Sequence, residues 1–328
     1  MPRLAVVMTP ERAADVCGPD ARRLIEERFE VTWADGRLDD REVARLAADC
    51  DVLLTSWGTP HLDASMWAGG GGPKVVAHAA GTVKKLIGRE VLDQGVTVFS
   101  AAGRIAWSVG EYCLAAMLTL ARRLPRFDAA VRGGGWKQKD FRGGELAGSP
   151  VGVVGASSTA RALISLLKPF GCDVAVYDPY LDEAGAAELG VRTASLEETL
   201  GCAFVSLHVP DLPATRGMVT RKLIEAMPDG TIVVNSSRGP AVDQTALLDH
   251  VQSGRLLAAL DVYDPEPPSF GESVLSCPNL LLTPHIAGDT TQGHLALAGY
   301  VLADAVGWLD KGIRGPSFVD PAAWPTAA

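Results

Sequence analysis

The sequence is poor in aromatic residues, which fill 6% of its positions, and it has no surplus of positive charge. A formal net charge of −9 disfavours non-specific binding to nucleic acid or to an anionic membrane surface. The basic pairs Arg122-Arg123 and Lys84-Lys85 are too short to act as a polybasic tract. No apolar run approaches the ~20 residues that span a bilayer. The apolar part of "MPRLAVVMTPERA" is also too short for a secretory signal. The cysteines Cys17, Cys50, Cys113, Cys172, Cys202 and Cys277 form no C-x-x-C pair, and none stands at a metal-ligand spacing from a histidine. They read as small packing residues in a reducing compartment. The expectation left by these absences is a cytoplasmic protein with no metal site, no membrane and no nucleic-acid partner.

What is present is aliphatic and layered. A chain of 328 residues is long for one domain and comfortable for two. Apolar runs at 4–8, 51–56, 74–79 and 96–100 read as strands, and between them "ARRLIEERF" and "REVARLAAD" have helical spacing. An apolar helical pattern follows over 108–124, as expected of a helix buried between domains or subunits. The glycine-rich stretch 132–148 reads as a loop. A second series of runs lies at 151–155, 173–178, 204–209, 231–236, 256–262 and 280–285. These runs are apolar throughout rather than alternating, which marks parallel strands covered on both faces. A helical pattern over 293–310 and a Pro-rich tail complete the sequence. Two β-α series predict an α/β fold of two doubly wound domains, whose ligands bind at the carboxyl ends of the strands.

The second series opens on a turn that lacks two of its usual glycines. A dinucleotide-binding turn reads G-x-G-x-x-G; here it reads Gly155-Ala156-Ser157-Ser158-Thr159-Ala160. The first glycine makes the tight turn and is kept. Ala160 adds only a methyl at the helix-packing position. Ser157 is the larger departure, because its Cβ stands where backbone approaches pyrophosphate. Its hydroxyl, with those of Ser158 and Thr159, offers donors at a helix N-terminus that already favours an anion. Asp178 ends the next strand, a little over twenty residues on. An acid there accepts hydrogen bonds from both hydroxyls of an adenosine ribose and repels a 2′-phosphate. No Arg or Lys in "DPYLDEA" offsets that repulsion. The reading is therefore NAD, with NADH preferred over NADPH. Taken alone, Asp178 also reads as a strand-end acid opening a turn before Pro179.

Three later strand ends carry Arg238, Glu266 and His285. Singly they read as a surface charge, a loop acid and a turn histidine. Together, beside a nucleotide turn, they read as chemistry. An Arg fork matches a carboxylate. A His is the natural proton donor near neutral pH, and a nearby Glu would orient its ring.

The stretches "GEYCLAAMLTLARRLP", "VGVVGASSTARALISLLKPFGCDVAVYDPY", "VSLHVPDLPATRGMV", "MPDGTIVVNSSRGPAVDQTALL", "GRLLAALDVYDPEPP" and "NLLLTPHIAG" follow one another in order. In them the chain resembles the D-isomer-specific 2-hydroxyacid dehydrogenase family. The resemblance implies reversible NAD-dependent reduction of 2-keto acids. It implies a Rossmann-type NAD-binding domain at 102–288, inserted into a flavodoxin-like substrate-binding domain made of 1–101 and 289–328. Arg238 would bind the substrate carboxylate and carbonyl, and His285 with Glu266 would be the acid/base pair. The cofactor would be lined by Gly155, Ser157, Ser158, Thr159, Asp178, His208, Val209, Pro210, Thr215, Ser236, Ser237, Asp261 and Gly288, with Asp261 near the nicotinamide. The substrate, a 2-keto or 2-hydroxy acid, would also meet Trp57 and the backbone N–H groups of Gly81 and Thr82. The segment 104–148 would form a homodimer contact, with Trp136 matching a tryptophan that in some relatives reaches the partner's active site. His78, Lys84 and Lys85 make the neighbourhood of Gly81 unlike that of many relatives. Two other readings stay open: a non-catalytic NAD-sensing regulator on the same frame, and NAD-dependent oxidation of another small anion such as formate or phosphite.

Overall fold

A computed structural model of the protein describes residues 1–137, 139 and 141–324. The chain divides into two compact units, Met1–Ile105 with Asp289–Ala328, and Ala106–Gly288. The first is built on strands β1 (Arg3–Val7), β2 (Glu30–Trp33), β3 (Val52–Thr55), β4 (Val75–His78) and β5 (Thr97–Ser100), all parallel, in the order β2-β1-β3-β4-β5. Side chains alternate between the faces of this sheet. Leu4, Val6, Val52, Leu54, Val75 and Ala77 enter one core with the helices Pro19–Arg28 and Leu297–Lys311. Ala5, Val7, Leu53, Val76 and Val98 enter a second core on the other face, with Val43, Leu46 and Trp67. Both faces being covered is why the runs are continuously apolar.

The second unit holds β6 (Pro150–Val154), β7 (Asp173–Tyr177), β8 (Arg192–Thr193), β9 (Phe204–Leu207), β10 (Ile232–Asn235), β11 (Leu257–Leu260) and β12 (Leu280–Leu282). They form one parallel sheet in the order β12-β11-β10-β9-β6-β7-β8. The chain leaves β6 toward β7 on one side and reaches β9 on the other, so the sheet's switch point lies at the end of β6, where a ligand is expected.

The structure departs from the sequence reading at the edges. Strands β2 and β8 have no apolar run to mark them; both are exposed edge strands, and an edge strand need not be hydrophobic on two faces. The helix expected over 108–124 is Ala102–Ala121, and a second helix, Leu124–Arg132, follows it. Pro125 removes the N–H that a continuous helix would need and its ring would clash with the carbonyl four residues back. Arg123, at φ +55°, turns the chain between the two helices. The helix expected over 293–310 is likewise divided, into Thr291–Leu295 and Leu297–Lys311. Among the described residues no helix is long and apolar enough to cross a membrane.

Candidate active site

The turn after β6 answers the question raised by its missing glycines. Gly155 sits at φ +94°, and a Cβ there would lie 2.6 Å from the carbonyl oxygen of His208. This position needs glycine for both conformation and space. Ser157, by contrast, stands just before the helix Ser158–Leu167 at φ −62°, where any L-residue fits, and its side chain makes no capping bond to the helix. Ala160 is fully buried at the packing position. The added hydroxyls turn sideways into a chain: Ser157 Oγ meets Thr159 Oγ1 at 2.9 Å, Thr159 Oγ1 meets His208 Nδ1 at 2.9 Å, and His208 Nε2 meets Ser206 Oγ at 2.8 Å. Burial pushes the His208 ring down to about 3, so it is neutral. Its ring lies beneath the turn, joined to it through Thr159, and the residue as a whole is buried.

The first backbone bond of that helix runs from Arg161 N–H to Ser157 C=O at 2.9 Å. The N–H groups of Ser158, Thr159 and Ala160 thus lie ahead of the helical ladder, directed off its N-terminus. Asp178 stands beside them: its Oδ2 accepts from Ala156 N–H at 2.7 Å and its Oδ1 from Tyr180 N–H at 2.8 Å. Each oxygen keeps a further lone pair for a hydroxyl. The narrow turn at Gly155, the unladdered N–H groups and the fixed carboxylate fit a pyrophosphate followed by a ribose. Arg161 Nε also reaches back to the Ala156 carbonyl at 3.0 Å, placing a guanidinium by the turn that the "DPYLDEA" segment does not reveal.

The remaining expected cofactor residues sit on loops at the carboxyl ends of the same sheet. Thr215 ties the loop after β9, accepting from Leu212 N–H at 3.0 Å and donating to Pro210 C=O, beside buried Val209. After β10, Ser236 Oγ lies 3.1 Å from Cys113 Sγ, and Ser237 Oγ donates to Asn235 Oδ1 at 2.9 Å. Asp261, after β11, is fully buried. Its Oδ1 accepts from Ile286 N–H and its Oδ2 from Ala287 N–H, both at 2.8 Å, so it holds the loop that carries His285 and runs on to Gly288.

Arg238, Glu266 and His285 come together at this edge. His285 Nδ1 meets Glu266 Oε2 at 2.9 Å, and Glu266 Oε1 accepts from Tyr263 N–H at 3.0 Å. Burial pushes the Glu266 carboxyl up. The hydrogen bonds from His285 and Tyr263 and the charges of His285 and Arg238 outweigh it and hold the carboxyl below the usual glutamate range. Arg238 is half-buried, with Nη1 donating to Ser237 C=O at 2.6 Å. Asn235 Nδ2 donates to Arg238 C=O at 3.0 Å, tightening the turn that presents it. Gly239 lets the two loops meet, since a Cβ there would lie 2.0 Å from the Tyr263 carbonyl oxygen.

In the first unit, the turn after β4 has its carbonyls gathered inward. Ser56 Oγ donates to Ala79 C=O at 2.8 Å, and Ser100 Oγ donates to the carbonyls of Ala80 and Gly81. His78 lies 3.0 Å from Thr55 Oγ1 through Nδ1 and hydrogen-bonds the Thr82 backbone. In a trans peptide the N–H points opposite to the C=O. With the Ala80 and Gly81 carbonyls turned inward, the N–H groups of Gly81 and Thr82 are turned outward. Trp57, at the end of β3, is 38% exposed and stacks on His294 with ring centroids 5.2 Å apart. Arg12 lies over the same indole, and Asp15 pairs with both Arg12 and His294.

Comparison with known proteins bears on this arrangement. The family model for the D-isomer specific 2-hydroxyacid dehydrogenase NAD binding domain matches residues 114–287, more than half of the chain. The chain belongs to that family. It is 30% identical over 282 residues to hydroxypyruvate reductase of Thermotoga maritima, covering 85% of this chain and 91% of that protein. It is 33% identical over 307 residues to D-3-phosphoglycerate dehydrogenase of Mycobacterium tuberculosis (strain ATCC 25618 / H37Rv), covering 89% of this chain. It spans only 58% of that dehydrogenase's length. A solved structure of a phosphoglycerate oxidoreductase from Rhizobium etli superimposes with a TM-score of 0.83 at 24% identity, over 97% of this chain and 98% of that one.

In this member of the family, several residues of the site escape a reading of motifs. Asn235, Gly239 and Tyr263 each fix one partner of the Arg238–Glu266–His285 group, yet each reads in sequence as an ordinary turn or packing residue. The contact at Gly239 joins chain segments far apart in sequence, so only the fold discloses it. The carbonyl-gathering role of Ser56 and Ser100 is hidden for the same reason.

Proposed function

We propose that the protein is an NAD-dependent oxidoreductase that interconverts a 2-keto acid and its D-2-hydroxy acid. The observation that carries this reading is the 2.9 Å contact between His285 Nδ1 and Glu266 Oε2. It fixes the ring and leaves Nε2 as the atom that gives or takes a proton. Arg238 supplies a planar guanidinium suited to a carboxylate and a polarised carbonyl. The outward N–H groups of Gly81 and Thr82 suit an anion, and Trp57 favours a substrate with some apolar bulk. Nicotinamide dinucleotide, bound at the Gly155 turn, would supply or accept the hydride. Asp178 favours NADH over NADPH, because its carboxylate suits free ribose hydroxyls and repels a 2′-phosphate. The protein acts as a homodimer in this reading. The helix Leu124–Arg132, all of it described, buries none of its residues; Leu124 and Val131 in it and Trp136 after it are exposed, as is Trp107 on the preceding helix. A cytoplasmic location suits six free cysteines.

The test is a panel of 2-keto acids offered with NADH or NADPH, following the absorbance of the reduced cofactor, together with calorimetry of both cofactors. Turnover of at least one 2-keto acid with NADH is expected. NADH binding without turnover of any would favour the sensing reading, and tighter binding of NADPH would overturn the role given to Asp178. Sedimentation showing only 34.4 kDa particles at micromolar concentration would overturn the dimer.

A further inference from the structure

His285 is held in an unusual backbone conformation, and the hydrogen bonds that hold it lead away from the site to a helix. The residue lies at φ +57°, a left-handed conformation that is unfavourable for a residue with a Cβ. Both of its flanking peptides are pinned. The His285 N–H donates to Thr283 C=O at 3.1 Å, and the next two N–H groups, of Ile286 and Ala287, donate to the two oxygens of Asp261. Thr283 Oγ1 also donates to Asp261 Oδ1, at 2.7 Å. Thr283 therefore touches the His285 loop twice, through its carbonyl and through the carboxylate it helps to fix.

The Thr283 hydroxyl has one proton, and Asp261 receives it. The remaining contact of Thr283 Oγ1 is Tyr112 Oη, at 2.7 Å. A hydroxyl that has donated its hydrogen can only accept, so Tyr112 is the donor. The chain has one direction: Tyr112 to Thr283, Thr283 to Asp261, with Asp261 also accepting from Ile286 and Ala287. Tyr112 lies on the long helix Ala102–Ala121, within the second unit. Burial drives the Tyr112 hydroxyl above the usual tyrosine range, so the donor keeps its proton at any working pH.

We propose that Tyr112 is a positioning residue for His285, acting through Thr283 and Asp261 to keep the histidine in its left-handed conformation against Glu266. The proposal rests on His285 being the acid/base group, but the arrangement it describes can be measured without turnover.

The test compares Tyr112→Phe, Thr283→Val and Thr283→Ser with the unchanged protein. Tyr112→Phe removes one oxygen and keeps the ring. Amide exchange of Ile286 and Ala287 in the cofactor-free protein should quicken about 3- to 10-fold in Tyr112→Phe and Thr283→Val, the range of one lost hydrogen bond, and should stay near its original rate in Thr283→Ser. With a 2-keto acid, kcat should fall by a similar factor in the first two variants while the KM for NADH holds, and the limb of the pH–kcat profile set by His285 should move. Thr283→Ser should restore both. The double variant Tyr112→Phe/Thr283→Val should be no slower than Thr283→Val alone, since both act on one chain. Unchanged exchange at Ile286 and Ala287 in Tyr112→Phe would overturn the proposal, as would additive losses in the double variant. Quickened exchange in a protein that turns over no 2-keto acid would uphold the hydrogen-bond chain while overturning the reading of His285.

Discussion

At the carboxyl ends of their strands, the two parallel sheets display different chemistry. Around Arg238, Glu266 and His285, in the unit Ala106–Gly288, the groups presented past the strand ends are side chains: Arg238 donates to the Ser237 carbonyl, Glu266 accepts from Tyr263 N–H and His285 pairs with Glu266. In the first unit the polar side chains at the equivalent edge face inward. Ser56, His78 and Ser100 are buried, and their hydrogen bonds hold the carbonyls of residues 79–82. What that edge presents outward is backbone N–H. The Arg238–Glu266–His285 group displays side chains supported by backbone, and the turn after β4 displays backbone supported by side chains. The first kind of function depends on residue identity at a few positions. The second depends on the direction of peptide planes.

The comparison breaks most severely at His285. His285→Ala removes the imidazole paired with Glu266, the proposed proton donor, and should lower kcat by ~10²–10⁴, with NADH affinity nearly unchanged. Full turnover of a 2-keto acid by this variant would remove the second unit's claim to side-chain chemistry. Next in size is Gly239→Ala. The added Cβ would meet the Tyr263 carbonyl oxygen at 2.0 Å, so the loops carrying Arg238 and Glu266 must part. A displacement near 1 Å at a reacting group costs about 10²-fold, and kcat/KM for the keto acid should fall by that order. Activity within twofold of the original would mean that the two loops do not act together.

The same contrast explains what was legible in the sequence. The parallel strands declared themselves because burial on both faces makes them apolar throughout, as in "VGVVG" and "LLAAL"; β2 and β8, exposed at sheet edges, left no such mark. Arg238, Glu266 and His285 were legible as ionisable residues past successive strand ends beside a nucleotide turn. Gly155 was legible because its φ of +94° and its contact with His208 demand glycine. Ser157 read as a defect because the motif treats its position as glycine, whereas its φ of −62° makes no such demand. Ser100 was not legible at all. A serine ending a strand has many uses, and only the fold brings its hydroxyl to the carbonyls of Ala80 and Gly81.

A milder change probes the backbone side of the comparison. Ser100→Ala removes the donor shared by the Ala80 and Gly81 carbonyls and also the hydroxyl that accepts from Ala102 N–H at 3.1 Å. Losing a helix-start acceptor costs about 1 kcal/mol, so a modest drop in stability is expected. The freed peptides would let the Gly81 and Thr82 N–H groups wander. If those groups bind the substrate anion alike in ground and transition states, KM should rise about 3- to 10-fold, the range of one hydrogen bond, with kcat little changed. A fall in kcat at constant KM would show instead that this turn acts on the reacting centre, and the contrast between the sheets would weaken.

The smallest effect near neutral pH comes from two histidines that both sheets keep neutral. Burial pushes His78, in the first unit, down to about 4, and His208, in the second, to about 3. An unfolded chain gives each its ordinary value near 6.5. Above that value neither state holds the proton, and the histidines add nothing to the pH dependence. Between about 6.5 and 4 the unfolded chain takes up protons that the folded chain refuses, so stability falls as pH falls across this window. The slope approaches about 1.4 kcal/mol per pH unit for each histidine. Urea unfolding of the intact protein from pH 7.5 down to 4.5 should show this loss. His78→Asn should flatten the slope while lowering stability at pH 7, because the Thr55 and Thr82 hydrogen bonds are weakened. The same substitution at His208 should flatten it by a similar amount and also disturb the Ser206–His208–Thr159 chain beneath the nucleotide turn, weakening NADH binding; His78→Asn should leave NADH binding alone. Equal effects of the two substitutions on NADH affinity would mean that the histidine under the turn does not support it.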